Sequence, residues 1–349
     1  MGTVKRVAIN GLGRIGRATF KIVHDEHPGL EIVAVNDIAP IADVAYLLRY
    51  DTVYGRFGDE VRADGDALVV NGHRIRFASE RDPADLPWEE LGVDLVFECT
   101  GLFTRMEDLE KHVRAGAGRV VLSAPGKDPE LASAVLGANT PPEDQRIVSC
   151  ASCTTNCITP VIEVLDRRVG IRKATMTTTH AYTSSQSIVD TRKSKVRRGR
   201  AGAANLVPTT TGAAKATTRA LPGLEGRFDG VAVRAPVPVG SIADIVAVMA
   251  RATSVDEING IFREEAESER YEGILGVTDD PIVSSDIIRD SRASVVDLEM
   301  TQVVDGDLLK VMSWYDNEWG YSNQMVRTAE TMLGVVSRRP VGVEATRHG

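Results

Sequence analysis

A chain of 349 residues, 43% hydrophobic and 26% charged, predicts two domains at ~100–200 residues each and excludes a disordered polymer. The 41 Lys and Arg against 49 Asp and Glu leave a net charge of −8, which argues against a dedicated nucleic-acid binder. No apolar run approaches the ~18 residues of a membrane span, and the opening MGTVKRVAIN has no long apolar signal core.

In chain order, the first half reads as short apolar runs at Val4–Ile9, Glu31–Val35, Asp94–Phe97, Arg119–Leu122 and Arg146–Val148. Such runs suit strands buried on both faces of a parallel sheet. Between the first two, Ile15, Ala18, Ile22 and Val23 share one helical face and complete a βαβ unit. Asn71-Gly72 is a two-residue hairpin signal and predicts an antiparallel decoration of the sheet. Past residue 150 the predicted strands lengthen: Ala174–Thr179, Gly230–Pro236, Ile242–Ala250 and Leu308–Trp314. Ser254 and Glu257 make a capping box before a helix with Ile258, Ile261 and Phe262 on one face. A mostly antiparallel sheet with helices on one face follows. A last helix after Ser322 aligns Met325, Ala329, Met332 and Leu333, and the tail from Ser337 reads as a loose terminus.

Gly11, Gly13 and Gly16 form G-x-G-x-x-G between a predicted strand and a predicted helix. There Gly11 permits the tight turn, Gly13 admits a pyrophosphate, and Gly16 lets helix and strand pack closely. The helix N-terminus stabilises the anion. The plain alternative is a glycine-rich turn without a ligand. Asp37 ends the next strand about 20 residues on, where an acid accepts from a ribose 2′-hydroxyl, so NAD is the default cofactor.

Three of the four cysteines crowd into SCASCTTNC, residues 149–157, which is no secreted disulfide framework and suits a reducing cytoplasm. The run follows a strand and precedes a helical stretch, Ile158 to Leu165, with Pro160 as an early breaker. A thiol near that helix N-terminus favours the thiolate. Three readings stand side by side: a Cys150–Cys153 redox pair or metal site with Cys157, three small core residues, and one nucleophilic cysteine. Of six histidines, His180 ends a strand in the second domain and is the candidate base.

NGLGRIGR, SCASCTTNC, HAYT, PTTTGAAKA, VRAPVP and SWYDNEWGYSN occur in this order along most of the chain. With them the sequence resembles the phosphorylating glyceraldehyde-3-phosphate dehydrogenases. The resemblance implies an α/β fold: a Rossmann-type dinucleotide-binding domain (1–152 and 317–337) plus an α+β catalytic domain (153–316) with a mostly antiparallel sheet. Residues 338–349 remain as a loose tail. It implies that Cys153 is the catalytic thiol and His180 its base. Ser152, Thr154, Thr183, Arg198, Thr211, Gly212 and Arg234 match the positions that hold two phosphate groups. Arg14, Ile15, Asp37, Arg81, Ser123 and Asn317 match cofactor contacts beside the three glycines, Asn317 fixing the nicotinamide carboxamide. It also implies glyceraldehyde 3-phosphate and inorganic phosphate as partners, a cytoplasmic homotetramer, and a loop over 184–205 reaching a neighbouring subunit. No metal, membrane or nucleic acid is called for; the basic run from Arg192 to Arg200 reads as a solvated or subunit-bridging loop.

Three positions depart from the family's pattern. Cys150 replaces the usual Asn, and its pairing with Cys153 on oxidation is expected to switch the enzyme off. Thr191-Arg192 replaces Leu-Pro after Asp190, so Arg192 is expected to attract the 2′-phosphate of NADP while Asp37 repels it. Ser184 replaces Asn, with no consequence attached. The close alternative is an erythrose-4-phosphate dehydrogenase on the same scaffold; the distant one is a cysteine-based redox or metal-binding protein.

Overall fold

A computed structural model describes residues 3–140 and 144–335. The first body contains β1 (Lys5–Asn10), α1 (Arg14–Glu26), β2 (Leu30–Asn36), α2 (Ile41–Arg49), β3 (Tyr50–Asp51), β4 (Gly55–Arg56), β5 (Val61–Asp64) and β6 (Ala67–Val70). It continues through β7 (His73–Ala78), β8 (Leu95–Glu98), α3 (Met106–Arg114), β9 (Arg119–Leu122) and β10 (Ile147–Ser149). One sheet runs in the order β10-β9-β8-β1-β2-β7-β6-β5. It is parallel from β10 to β7 and antiparallel beyond. The Asn71-Gly72 turn takes positive φ at both residues, as a type I′ hairpin demands. The hairpin does more than decorate: β7 itself pairs with β2, so β6 and β5 extend the sheet in its own plane.

The second body holds α4 (Cys153–Arg168), β11 (Ile171–Ala181), β12 (Val207–Thr210), α5 (Ala213–Ala220), β13 (Phe228–Ala235) and β14 (Ser241–Met249). Then come α6 (Val255–Ala266), β15 (Leu275–Thr278), β16 (Ser294–Val304), β17 (Leu308–Tyr315) and α7 (Trp319–Leu333). The sheet order is β12-β13-β11-β14-β17-β16-β15, with β11–β13 and β15–β16 parallel and the other pairs antiparallel. The capping box works as read, Ser254 accepting from the Glu257 amide at 3.2 Å.

Two helix starts differ from the sequence expectation, each for a capping reason. Ser152 accepts from the Thr155 amide at 3.1 Å, so α4 opens at Cys153 and runs on through Pro160. Asp316 accepts from the amides of Glu318 and Trp319, so α7 opens a turn before Ser322. Trp319, Tyr321, Met325, Val326 and Ala329 of α7 share a core with Val7, Ile9, Phe20 and Ile22, although α7 follows the second sheet in sequence. The second core joins α4 and α6 to the inner faces of β11, β14, β16 and β17. No helix among the described residues is long and apolar enough to cross a membrane. The loose tail expected at 338–349 lies outside the described residues, as do residues 336–337.

Candidate active site

In an open parallel sheet the carboxyl ends of the strands are where a ligand crevice is expected, and the glycines shape the backbone there. Gly11 takes φ +93°, and a Cβ there would stand 2.8 Å from the Thr100 backbone nitrogen. A Cβ on Gly16 would stand 1.9 Å from the Gly11 carbonyl oxygen. At Gly13 it would meet nothing within 4 Å, which is the open approach a pyrophosphate needs. Gly13 is the N-cap of α1 and supplies no side-chain cap. The first-turn amides around Arg14, Ile15 and Gly16 therefore face that opening as a donor set suited to an anion. Asp37 is held by two backbone amides, from Leu12 at 2.7 Å and from Ala39 at 2.9 Å. The Arg14 side chain turns elsewhere, pairing with Asp51 and Glu318 and covering the Tyr54 ring. Arg81 is exposed beyond β7, and Ser123 is half-buried beyond β9 with its amide on the Glu98 carbonyl.

Beneath this crevice runs a polar chain that the motif reading missed. Glu98, fully buried, accepts from Asn10 Nδ2 at 2.6 Å and lies 3.1 Å from His112 Nε2. Trp88 donates to His112 Nδ1 at 3.0 Å, which leaves the proton on Nε2 for Glu98. Asn36 donates to Asn10 Oδ1 at 2.7 Å and clamps the Glu80 backbone. The available sequence signal was a polar residue closing each of three adjacent apolar strands: Asn10, Asn36 and Glu98.

The thiol stands where the two bodies meet. Cys153 is the first residue of α4, and its Sγ lies 3.4 Å from His180 Nε2 near the end of β11. His180 Nδ1 is 2.7 Å from the Ala181 carbonyl oxygen, which also accepts from Arg234 Nη1 at 2.9 Å. Arg234 Nη1 also lies 2.8 Å from Nδ1. The carbonyl only accepts, so its bond to Nδ1 places the proton there and leaves the Nε2 lone pair facing the sulfur. The donor-only Arg234 is satisfied by the same carbonyl. Burial, then the Arg234 charge, pushes the imidazole down to about 3. Burial pushes the Cys153 thiol up, against Arg234 and the amides of Thr154 and Cys153 itself. Tyr315, also unread in the sequence, is fully buried with its hydroxyl 2.9 Å from Thr154 Oγ1 and 2.8 Å from Thr178 Oγ1. It pins the start of α4 to β11.

The expected anion ligands fall into two groups. Ser152 and Thr154 commit their hydroxyls to the α4 cap and to Tyr315, so what they can offer an anion is backbone N–H. Arg234 sits against the base. Arg198 lies over Thr209 and Ser185, with Thr183 bonded to the same Ser185 at 2.8 Å. Thr211 accepts from the Ala213 amide at the start of α5, and Gly212 caps that helix without a side chain. Asn317 accepts at Oδ1 from the Gly240 amide at 3.2 Å and from Ser241 Oγ at 3.0 Å.

The burial of its two other cysteines weighs against the redox-pair and metal readings of the cysteine run. Cys150 is buried in the first core, and Cys157 in the second with its sulfur 3.7 Å from Ser294 Oγ. Burial pushes both thiols up to about 12. Among the described residues the three-residue group with metal-compatible spacing is His24, Asp25 and Asp59, which includes no cysteine.

Comparison with known proteins agrees with this geometry over nearly the whole chain. Residues 5–106 match the family described as glyceraldehyde 3-phosphate dehydrogenase, NAD binding domain, and residues 152–317 its C-terminal domain. Glyceraldehyde-3-phosphate dehydrogenase 2 of Streptomyces avermitilis is 49% identical over 324 residues, covering 92% of this chain and 96% of its own. The Geobacillus stearothermophilus glyceraldehyde-3-phosphate dehydrogenase is 45% identical over 327 residues, 93% of this chain and 97% of its own. That of Zymomonas mobilis is 44% identical over 330 residues, 94% and 98%. A glycine cradle for a dinucleotide, a thiol facing an imidazole, and this similarity together place the chain in the glyceraldehyde-3-phosphate dehydrogenase family.

Proposed function

We propose that this chain oxidises glyceraldehyde 3-phosphate with NAD and inorganic phosphate to 1,3-bisphosphoglycerate, through a covalent intermediate on Cys153. The observation that carries the reading is the 3.4 Å approach of Cys153 Sγ to His180 Nε2 at the meeting of the two bodies. Nε2 takes the thiol proton, and Sγ attacks the aldehyde carbon. The proton returns to the new alkoxide, giving a hemithioacetal. Bound NAD supplies the hydride acceptor. As the hemithioacetal carbon is oxidised to a thioester, Nε2 takes the hydroxyl proton. Phosphate then attacks the thioester carbon and displaces the Cys153 sulfur. Arg198 and Arg234 meet the phosphate oxygens with charge-assisted donors, completed by Thr183, Thr211 and the amides around Ser152, Thr154 and Gly212. Asn317 orients the nicotinamide, and Arg81 and Ser123 complete the cofactor crevice.

The same reading divides the chain into 1–152 with 317–337 for the cofactor and 153–316 for the chemistry, supported by the core that α7 shares with β1 and α1. Four free thiols suit the reducing cytoplasm. Exposed Ile188, Val189, Val196 and Leu206 cluster on or beside the 184–205 loop, an apolar surface suited to subunit contact in a homotetramer. Asp37, fixed beside the crevice, favours NAD, while exposed Arg192 allows NADP in second place.

The test is an assay panel with glyceraldehyde 3-phosphate or erythrose 4-phosphate, NAD or NADP, with and without phosphate or arsenate, alongside a solution mass. Cys153→Ser is expected to abolish turnover. His180→Asn is expected to lower kcat by ~10²–10⁴ and to move alkylation of Cys153 to higher pH. Normal activity in Cys153→Ser overturns the mechanism; faster turnover of erythrose 4-phosphate reassigns the substrate.

A further inference from the structure

The amide of Asn317 is fixed by two donors, one of which can only donate. The Gly240 N–H can do nothing else, so the Asn317 atom 3.2 Å from it is the carbonyl oxygen, and the NH₂ group points away. No acceptor for that NH₂ occurs among the described residues, which leaves it free for a carboxamide oxygen. Only glycine fits at 240: its φ is +90°, and a Cβ there would stand 2.1 Å from the Ser284 carbonyl oxygen.

Ser241 makes the second bond to the same oxygen, and its polarity is equally determined. It is fully buried at the start of β14, between the ends of β11 and β17. Its Oγ accepts from the Ala181 N–H at 3.1 Å, and because Asn317 Oδ1 has no proton to give, the hydroxyl proton goes to it at 3.0 Å. The carbonyl of that same Ala181 receives His180 Nδ1 and Arg234 Nη1. One hydroxyl therefore ties the residue that orients the base to the side chain that faces the nicotinamide.

We infer that Ser241 is a positioning residue of this enzyme, setting the Asn317 amide in register with the His180 base so that the hydride acceptor and the thiol share one frame. The inference rests on the proposed role of Asn317. Ser241 touches neither substrate nor cofactor and acts through its two neighbours.

The experiment measures binding of NAD and of ADP-ribose, which lacks the nicotinamide, to the wild type, Ser241→Ala, Asn317→Ala and the double variant. Iodoacetamide alkylation of Cys153 and thermal melting are followed in parallel. Ser241→Ala is expected to weaken NAD about tenfold, the scale of one lost buried hydrogen bond, and to leave ADP-ribose binding unchanged. In the Asn317→Ala background it is expected to add nothing. Alkylation of the cofactor-free enzyme should stay within about twofold, because the second Ala181 contact still holds His180. Equal loss of NAD and ADP-ribose binding, no loss of either, or an additive double variant overturns the inference. If Asn317→Ala itself leaves NAD binding unchanged, the reading of Asn317 fails first, and Ser241 has nothing to position.

Discussion

Cys153 and His180 carry opposing pressures that only their pairing reconciles. Burial drives each towards its neutral form. Moving the proton from Sγ to Nε2 creates two charges 3.4 Å apart, whose attraction at an effective dielectric near 20 is about 5 kcal/mol. That equals roughly three to four pKa units, enough to offset much of the burial. The family resemblance made both residues legible in the sequence, whereas the cysteine run alone left three readings open. The burial of Cys150 was not legible. Ala151, between it and Ser152, adopts φ +53°, a turn rarely taken by an L residue, and Cys150 lies within the first core while Cys153 packs against both cores. Burial and a raised pKa make Cys150 a poor resolving thiol, which weighs against the oxidation switch expected from the C-x-x-C spacing. Peroxide is expected to inactivate wild type and Cys150→Ser at the same rate, with mass spectrometry locating the modification on Cys153; slower loss in Cys150→Ser would restore the disulfide idea.

The elements that place the site are helix beginnings and strand ends. The α1 turn depends on Gly16, because a methyl there meets the Gly11 carbonyl, a backbone atom in a turn held by the Asn36 carbonyl. Gly16→Ala is expected to lower NAD affinity at least tenfold and to destabilise the protein by a few kcal/mol, the usual scale for overpacking against backbone. Calorimetric titration and urea unfolding check both; unchanged affinity would mean the turn yields freely. Elements with a clean period were readable in the sequence, the parallel strands and α1 above all. β16 was not, since its pairing with β17 shifts register between Asp297 and Gln302 and breaks the alternation. α2 was missed because only Val44, Ala45 and Leu48 of its nine residues are buried.

For the whole molecule, buried thiols set an alkaline limit. Cys150 and Cys157 move from an ordinary 9.0 up to about 12. A folded-state pKa above the unfolded one means that, between those values, the unfolded chain has released protons that the folded chain retains. Stability contributed by these thiols is therefore whole below pH 9 and declines as pH rises towards 12, by about 1.4 kcal/mol per pH unit for each thiol. Urea unfolding under reductant at pH 8, 9.5 and 10.5 is expected to reveal the decline, and Cys150→Ser to make it shallower. An identical slope in the variant would assign the alkaline limit to other groups, such as buried Tyr315 and Tyr321.

The placing of α7 has a bearing on how the chain is made. The strands and helix that cradle the dinucleotide leave the ribosome roughly 300 residues before Trp319, Tyr321 and Met325, which close their core. During synthesis the amino-terminal half must wait with an apolar face uncovered while the whole catalytic half is added. Nascent chains of this protein should thus depend on protection from association until α7 has emerged, and the cofactor cradle matures only after the catalytic half has been added.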